Sequence, residues 1–596
     1  MAAYAVEILL TVLIIYGLAY YYYGKKLLQE KVVRADPNRP TPAFTKFDGV
    51  DYVPANKYVL YGHHFASIAG AGPIVGPAIA MAYGWALPLL WVLFGNVFIG
   101  AVHDYLAVMA SVRYGGLSVM SISENVMGKA ARYIFLVYVY AALILVLAAF
   151  LSVAAKLYVL IPGAATKAII FMPIALLLGV LVYRFGLGVT GSTVIALILV
   201  LLGFYYSYKV PFVLGYDPVH KVGFWLAYHR WVIILAAYAF VAATLPVWYL
   251  LQPRDYLNAY ILWFFVILAT ISAILVGDMK FTGPAYTSFA PKIFANKPTP
   301  FLPAIPLIIA CGALSGFHSV VGSGTTSKQL SNELDALLVG YGGMLTEGAV
   351  SSLAVIMPVS LAWSAPELIK MGVYHHNILE LDKVSRFLVG YAYMSGKAFE
   401  RLGVSFPHAF SVIKLFAAIA LATFILTTLD TATRLARFAW QEMFDWLQAK
   451  NMAAYKLLAN RFVATLIAVL IGAGLAYPEV KIGSKTVAAF VVIWPAFAGT
   501  NQLLAALALL TTALWVYAIL RVRGAVNWLI QVPAWFLWIT VTAGLIWWTV
   551  VVLPALPWIQ KIGAGALVEI TLALDFLLII LYTIGLSRAS KSGQSS

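Results

Sequence analysis

The sequence predicts an all-α polytopic membrane protein of about fifteen transmembrane helices. Three observations predict it. Of the 596 residues, 63% are hydrophobic and 10% charged, whereas a soluble domain carries roughly 25% charged residues. Apolar runs of about 20 residues, the length needed to cross a bilayer, recur along the whole chain. Lysine and arginine gather between those runs, as at Lys25-Lys26 and Arg434/Arg437; this is the positive-inside pattern. The net charge of +16 is therefore a topology signal, and nucleic acid is excluded as a partner. The single cysteine, Cys311, excludes an intrachain disulfide and a cysteine-based metal cluster.

The spans fall near 4–23, 64–82, 85–111, 132–160, 166–183, 188–208, 229–251, 256–277, 301–321, 337–362, 407–430, 457–477, 500–520, 527–553 and 565–586. The first has no basic leader or small-residue cleavage site, so it reads as a retained helix. The apolar stretch 486–498 is too short to span and reads as a re-entrant half-helix or one end of a long broken helix. Loops 24–60 and 431–461, and the tail with Arg588 and Lys591, belong to the cytoplasm by the positive-inside rule. The odd span count then puts the N-terminus outside and the C-terminus inside a plasma (inner) membrane. Connections 278–300 and 363–406 fall outside and read as folded loops or caps. Residues 1–596 form one membrane domain: 60–385 carries both expected breaks, 386–520 further core helices and 521–596 peripheral helices.

Two spans differ from plain lipid-facing runs. Phe65-Ala66-Ser67-Ile68-Ala69-Gly70-Ala71-Gly72-Pro73 and Phe317-His318-Ser319-Val320-Val321-Gly322-Ser323-Gly324-Thr325 align without a gap. Two glycines in three residues, followed by Pro73 or by Thr325-Thr326, weaken a helix. Unwound backbone at membrane depth must line a cavity or be buried in protein, where it supplies ligands. The second copy comes seven spans after the first, an odd step, so they run in opposite directions, the arrangement of secondary transporters. The expected substrate-binding residues are Ser67, Gly70, Gly72, His318, Ser319, Gly322, Ser323 and Gly324. The competing reading is a small-residue packing seam between helices.

Ionisable groups inside spans are expensive and mark function. His63 and His64 precede the first motif, and Glu347 follows Gly342-Gly343. With Thr427, Thr428 and Asp430 they form the expected ion-coupling set, for a proton or sodium. Asp104, beside His103, is expected in a structural pair or a relay. Asp430 and Arg434, four apart on one helix, are expected to pair with each other. The segment 245–257, with Pro246, Pro253, Arg254 and Asp255, reads as a tight corner. Asn501-Gln502, after Trp494-Pro495, reads as a pair of hydrogen-bonders at another break, and Asp575 has no evident partner. There is no Walker A loop, dinucleotide fingerprint or H-E-x-x-H motif. No cofactor or metal is expected, and the chain does not read as an enzyme.

At these residues the chain resembles the carbon starvation protein A (CstA) family. The matching segments are 62–77 (GHHFASIAGAGPIVGP), 245–260 (LPVWYLLQPRDYLNAY), 317–330 (FHSVVGSGTTSKQL), 427–438 (TTLDTATRLARF) and 494–509 (WPAFAGTNQLLAALAL). The resemblance implies membership of the amino acid–polyamine–organocation superfamily and a leucine-transporter-like inverted repeat. The two breaks would be the first and sixth core helices, and Thr427/Thr428 would lie near the eighth, where sodium-coupled relatives hold an ion. In that fold the second break comes five spans after the first; seven here imply two inserted helices. The function implied is secondary active import of pyruvate or short peptides across the plasma membrane, proton-coupled and linked to carbon starvation. Alternatives are a metabolite sensor or scaffold on the same fold, and a metal-dependent membrane enzyme.

Overall fold

Hydrocarbon offers backbone amides no partners except one another, so apolar runs wind into helices. The computed structural model describes residues 4–594 apart from 218, 219, 221, 361, 382, 483, 484, 489, 557, 559, 560 and 562–564. Among the described residues, 12 helices are long and apolar enough to cross a membrane, and two bent pairs raise the number to 14. In chain order these are α1 (Ala5–Val33), the bent pair α2 (Lys57–Ile68) and α3 (Gly72–Tyr83), α4 (Ala86–Arg113), α5 (Lys129–Leu160), α6 (Pro162–Val182), α7 (Val189–Lys209), α8 (Phe224–Thr244) and α9 (Leu251–Leu275). After α10 (Gly316–Gly324) come α11 (Leu337–Val359), α12 (Lys383–Arg401) and α13 (Phe406–Met443). The chain ends with the bent pair α14 (Met452–Leu458) and α15 (Arg461–Ala476), then α16 (Phe490–Ala518), α17 (Ala525–Ala555) and α18 (Ala566–Ser590).

The remaining expected span, 301–321, is broken into pieces. Helical turns at Phe301–Ala304 and Ile305–Leu307 are followed by an irregular stretch at 308–315, then α10 and a turn at Thr326–Lys328. It still joins the two faces. The Phe301 amide donates to the Phe289 carbonyl at one end, and the Ala55 amide donates to the Gln329 carbonyl at the other.

The first break is where the sequence places it: α2 and α3 meet at 44° around residues 69–71. The second is not. Gly322-Ser323-Gly324 lie inside α10, and the unwinding is at 308–315. Ser319 and Ser323 donate back to the carbonyls of Gly316 and Ser319, at 2.8 and 2.7 Å, which satisfies them within the helix. A Cβ on Gly322 would meet Val108, and one on Gly324 would meet Leu435; the second motif copy is a packing seam. Gly312 is what the real break needs. Its φ of +86° lies in the left-handed region, and a Cβ there would collide with Ser351.

Other expectations also change. Residues 485–488 close a β-hairpin, β1 (Glu479–Ile482) with β2 (Lys485–Ala488), and 490–518 is one helix with Pro495 inside it. Asn501 and Gln502 therefore sit at no break of their own. In the second connection, 363–406, α12 is a 19-residue helix that buries Phe387, Tyr391 and Met394. Both of its ends are tied to one face: Arg386 donates to the carbonyls of Ala78 and Leu379, and Arg401 to that of Leu275.

Helix packing reveals the repeat. α2 lies along α9, and α10 lies along α16. α4 packs on α10, and α11 packs on α2 and α3. α5 and α13 pack on each other. α8 touches both of them, and so does α15; α9 rests on α13, and α16 on α5. Exchanging α2/α3, α4, α5, α8 and α9 for 301–328, α11, α13, α15 and α16 maps each of these contacts onto another. The core is thus two like halves of five spans. The second broken member lies seven spans on from the first, an odd step, so the halves are inverted. The two inserted helices are α6 and α7, which pack on each other, with α6 also resting on α9 and α13. α1 leans on α11, α17 and α18 lean on α16, and α12 lies across α3, α9, α11 and α13.

Candidate functional site

The two breaks face each other across a cavity of about 20 Å3, room for one water-sized sphere. Gly70 and Gly72 line it from the first break, and Ala310, Cys311 and Ser315 from the second. Val146 and Phe150 of α5, Thr428 of α13, and Phe497 and Asn501 of α16 complete the wall. α3 begins at Gly72 and α10 at Gly316, so two positive helix ends start at this space, a setting that favours an anion. Gly70 is required here: a Cβ would come within 2.6 Å of Phe150 Cε1 and 2.8 Å of Thr428 Oγ1. A larger cleft of 810 Å3, lined by Lys25, Arg34, Lys57 and Asp335, opens at the surface away from both breaks and lacks this enclosure.

Side chains hold the second break open. Asn501 Nδ2 donates to the Ala310 carbonyl at 2.8 Å, and its Oδ1 accepts the Phe317 amide at 2.9 Å. Gln502 Nε2 donates to the Leu314 carbonyl at 2.9 Å. Asn96 of α4 donates to the carbonyls of Gly312 and Met344, both at 2.8 Å. Most carbonyls freed by the unwinding are thus already partnered, as buried backbone must be.

A charged network runs behind the first break. His63 Nδ1 lies 2.6 Å from Asp255 Oδ2, with both side chains fully buried. Arg254 Nη2 donates to Asp255 Oδ1 at 2.6 Å, and Nη1 pairs with Asp430. Tyr238 donates to Asp430 Oδ2 at 2.6 Å. The expected Asp430–Arg434 pair is therefore not the one formed. Arg254, near the start of α9 rather than in a loop corner, reaches Asp430, and Arg434 turns to Asp51 at 2.9 Å. Arg437 joins Asp51 at 3.2 Å. These links tie α2, α8, α9, α13 and the 46–56 loop together on the arginine-rich face.

A second cluster stands behind the other break. His318 Nδ1 is 3.1 Å from Asp104 Oδ2, whose other oxygen is 2.8 Å from His103 Nδ1. His318 Nε2 faces Cys311 Sγ at 3.3 Å and Glu347 Oε2 at 3.4 Å.

Of the expected substrate residues, Gly70 and Gly72 reach the cavity, joined by Thr428 from the expected ion set. Ser67 points instead to Thr431 Oγ1 at 3.0 Å. Ser319, Gly322, Ser323 and Gly324 do not line the cavity. His64 Nδ1 is 2.8 Å from Thr326 Oγ1, and Thr427 accepts from Asn258 at 2.6 Å. Asp575 is partnered after all, by Trp538 Nε1 at 2.8 Å and Thr542 Oγ1 at 3.1 Å. Cys311, Ser315 and the Asn501 cap were missed as cavity residues. The run Cys311-Gly312-Ala313-Leu314-Ser315, small and polar inside an apolar span, was the available signal.

Paired broken helices around an enclosed cavity, on a core of two inverted halves, define a multi-pass membrane transport protein. The chain belongs to the carbon starvation protein CstA family, which matches residues 4–377 and 374–543. It is 32% identical over 584 residues to the peptide transporter CstA of Campylobacter jejuni, covering 91% of this chain and 80% of that protein. It is 31% identical over 589 residues to the pyruvate/proton symporter BtsT of Escherichia coli, covering 89% and 79%. Among solved structures, MhsT in complex with L-phenylalanine aligns with a TM-score of 0.46 at 14% identity, covering 83% of this chain and 98% of MhsT. Family and relatives are transporters, and the chain is not an enzyme.

Proposed function

We propose that the protein is a proton-coupled importer of a small monocarboxylate, pyruvate being the first candidate. The observation that carries this reading is the enclosed cavity where both breaks meet, with helix N-termini at Gly72 and Gly316 directed to it. A carboxylate there meets positive helix ends without needing a buried lysine or arginine. The pyruvate/proton symporter among the relatives supports the same substrate class. Short peptides, in the name of the Campylobacter relative, are the second reading; they require a wider opening than pyruvate does.

The proton sits on the His63–Asp255–Arg254–Asp430 network. Protonated His63 pairs with Asp255 and holds α2 against α9; loss of that proton leaves Asp255 to Arg254 and frees the α2 half of the broken helix. The arginine-rich face is cytoplasmic, placing the N-terminus outside, and α12 covers the outer ends. Proton and substrate bound from outside then leave together when the Asp51–Arg434/Arg437 links part. Proteoliposomes given labelled pyruvate or dialanine test this. An inward proton gradient should drive accumulation, and Asp255→Asn should retain exchange while losing uphill uptake. Uptake of neither substrate under a proton gradient, or dependence on sodium alone, ends the proposal.

A further inference from the structure

We propose that Cys311, His318 and Glu347 form a binding site for one borderline-soft divalent cation such as Zn2+ or Fe2+. Their donor atoms all lie within 4.8 Å of one another. The His318 Nε2 edges are 3.3 Å to sulfur and 3.4 Å to the carboxylate oxygen. Around a tetrahedral metal bonded at about 2.0 Å to N and O and about 2.3 Å to S, neighbouring donors stand roughly 3.3–3.5 Å apart. Both edges from His318 Nε2 already have that length.

Two further observations point to a cation. Glu347 is fully buried, and the one basic side chain against its carboxylate is His318, at 3.4 Å, a long contact for a buried charge. On the far side of His318, Asp104 holds Nδ1 and His103 holds Asp104. A carboxylate behind the imidazole is what orients a metal-binding histidine and leaves Nε2 for the metal. The plainer arrangement is an imidazolium clamped between two acids, with the Cys311 thiol donating to Glu347; the cobalt experiment below separates the two.

The donor set decides the class of ion. A thiolate and an imidazole suit Zn2+ or Fe2+, and a single carboxylate is too little for Mg2+ or Ca2+. Binding sends the Cys311 proton to solvent. Thiolate, carboxylate and dication then sum to zero, so the site adds no net charge to the interior. Three protein donors leave one coordination position open. Cys311 is also on the cavity wall, so the open position faces the space proposed for substrate and can take its carboxylate. That last clause alone rests on the proposed function.

Cobalt(II) is the probe, added to purified full-length protein in detergent. Cys311 is the only cysteine of the chain, so a thiolate-to-cobalt charge-transfer band can come from no other site. The expected result is one Co2+ per chain, with that band and the strong visible bands of a tetrahedral centre, displaced by Zn2+. Cys311→Ser should abolish the charge-transfer band. Asp104→Asn should keep the band and weaken affinity about 10–100-fold. Absence of the band in protein whose thermal melt shows it folded overturns the proposal. So does a band whose affinity is unchanged in Glu347→Gln. Failure of transport with the band intact defeats the transport reading and leaves this one standing.

Discussion

Arg254 offers the sharpest test of the network behind the first break. It is 1% exposed and sits between Asp255 and Asp430, both at 0%. Removing one member of a buried pair strands its partner and costs about 3–5 kcal/mol, whereas replacing both by apolar groups is often neutral. Arg254→Met leaves Asp430 with only the Tyr238 hydroxyl, and Asp255 with only His63. Asp430→Leu leaves Arg254 its bonds to Asp255 and Tyr238, so it should be the milder change. Each single variant should lose about 3–5 kcal/mol, the arginine variant at the upper end, and the double variant less than their sum by roughly 3 kcal/mol. Equilibrium unfolding in mixed dodecyl sulfate micelles, followed by tryptophan fluorescence, measures all four corners of the cycle. Simple additivity, a double-variant loss of roughly 6–10 kcal/mol, refutes the reasoning, because it means the two charges do not compensate each other.

Gly70→Ala drives a methyl into Phe150 and Thr428; it should cost about 1–3 kcal/mol and reduce transport, as read by uptake per folded protein. Gly186→Ala is not a fair control, because Gly186 has a positive φ; Gly188→Ala, with nothing within 4 Å, should leave both measurements unchanged. Asn501→Ala removes the cap of the second break and should destabilise by about 2–3 kcal/mol, measured by the same unfolding titration. Asp51 lies in the loop outside the spans. Burial opposes its charge, yet Arg437 and Arg434 hold its carboxyl below the ordinary range. A lowered pKa in the folded state means the stabilisation is complete above the unfolded-state value of about 3.9 and is lost as pH falls through the folded one. The stability gap between the protein and Asp51→Asn should therefore be flat near neutral pH and shrink in acid; a gap that widens in acid contradicts the assignment.

Much of the fold was legible because lipid enforces it. A continuous apolar run has one backbone solution, so the spans appear where hydropathy puts them, and loop charge marks their ends. α12 escaped for the opposite reason. Its buried face is aromatic and aliphatic, but Lys383, Arg386, Lys397, Glu400 and Arg401 pull its mean hydropathy down, and only its tertiary contacts show it to be part of the core. The second break was misplaced by a short match. Phe-x-Ser with two glycines describes both an unwound turn and a close helix crossing, and the difference lies in neighbours distant in sequence, such as Leu435 against Gly324. The pairing of Asp430 failed similarly. The i,i+4 rule sees only one helix, whereas Arg254 arrives from another with Asp255 already attached. Gly70 and Gly72 were found because sequence and space agree there.

The cavity between the breaks is smaller than any metabolite. A space of about 20 Å3 means that this conformation does not compete for substrate at all, and binding draws only on the opened forms. If those make up about 1% of molecules, the measured affinity is roughly a hundredfold weaker than that of the open site. Affinity is then a property of the equilibrium between shapes as much as of the residues that touch the ligand. A substitution far from the cavity, such as one that loosens Asp51 from Arg434, can tighten apparent binding without adding a single contact.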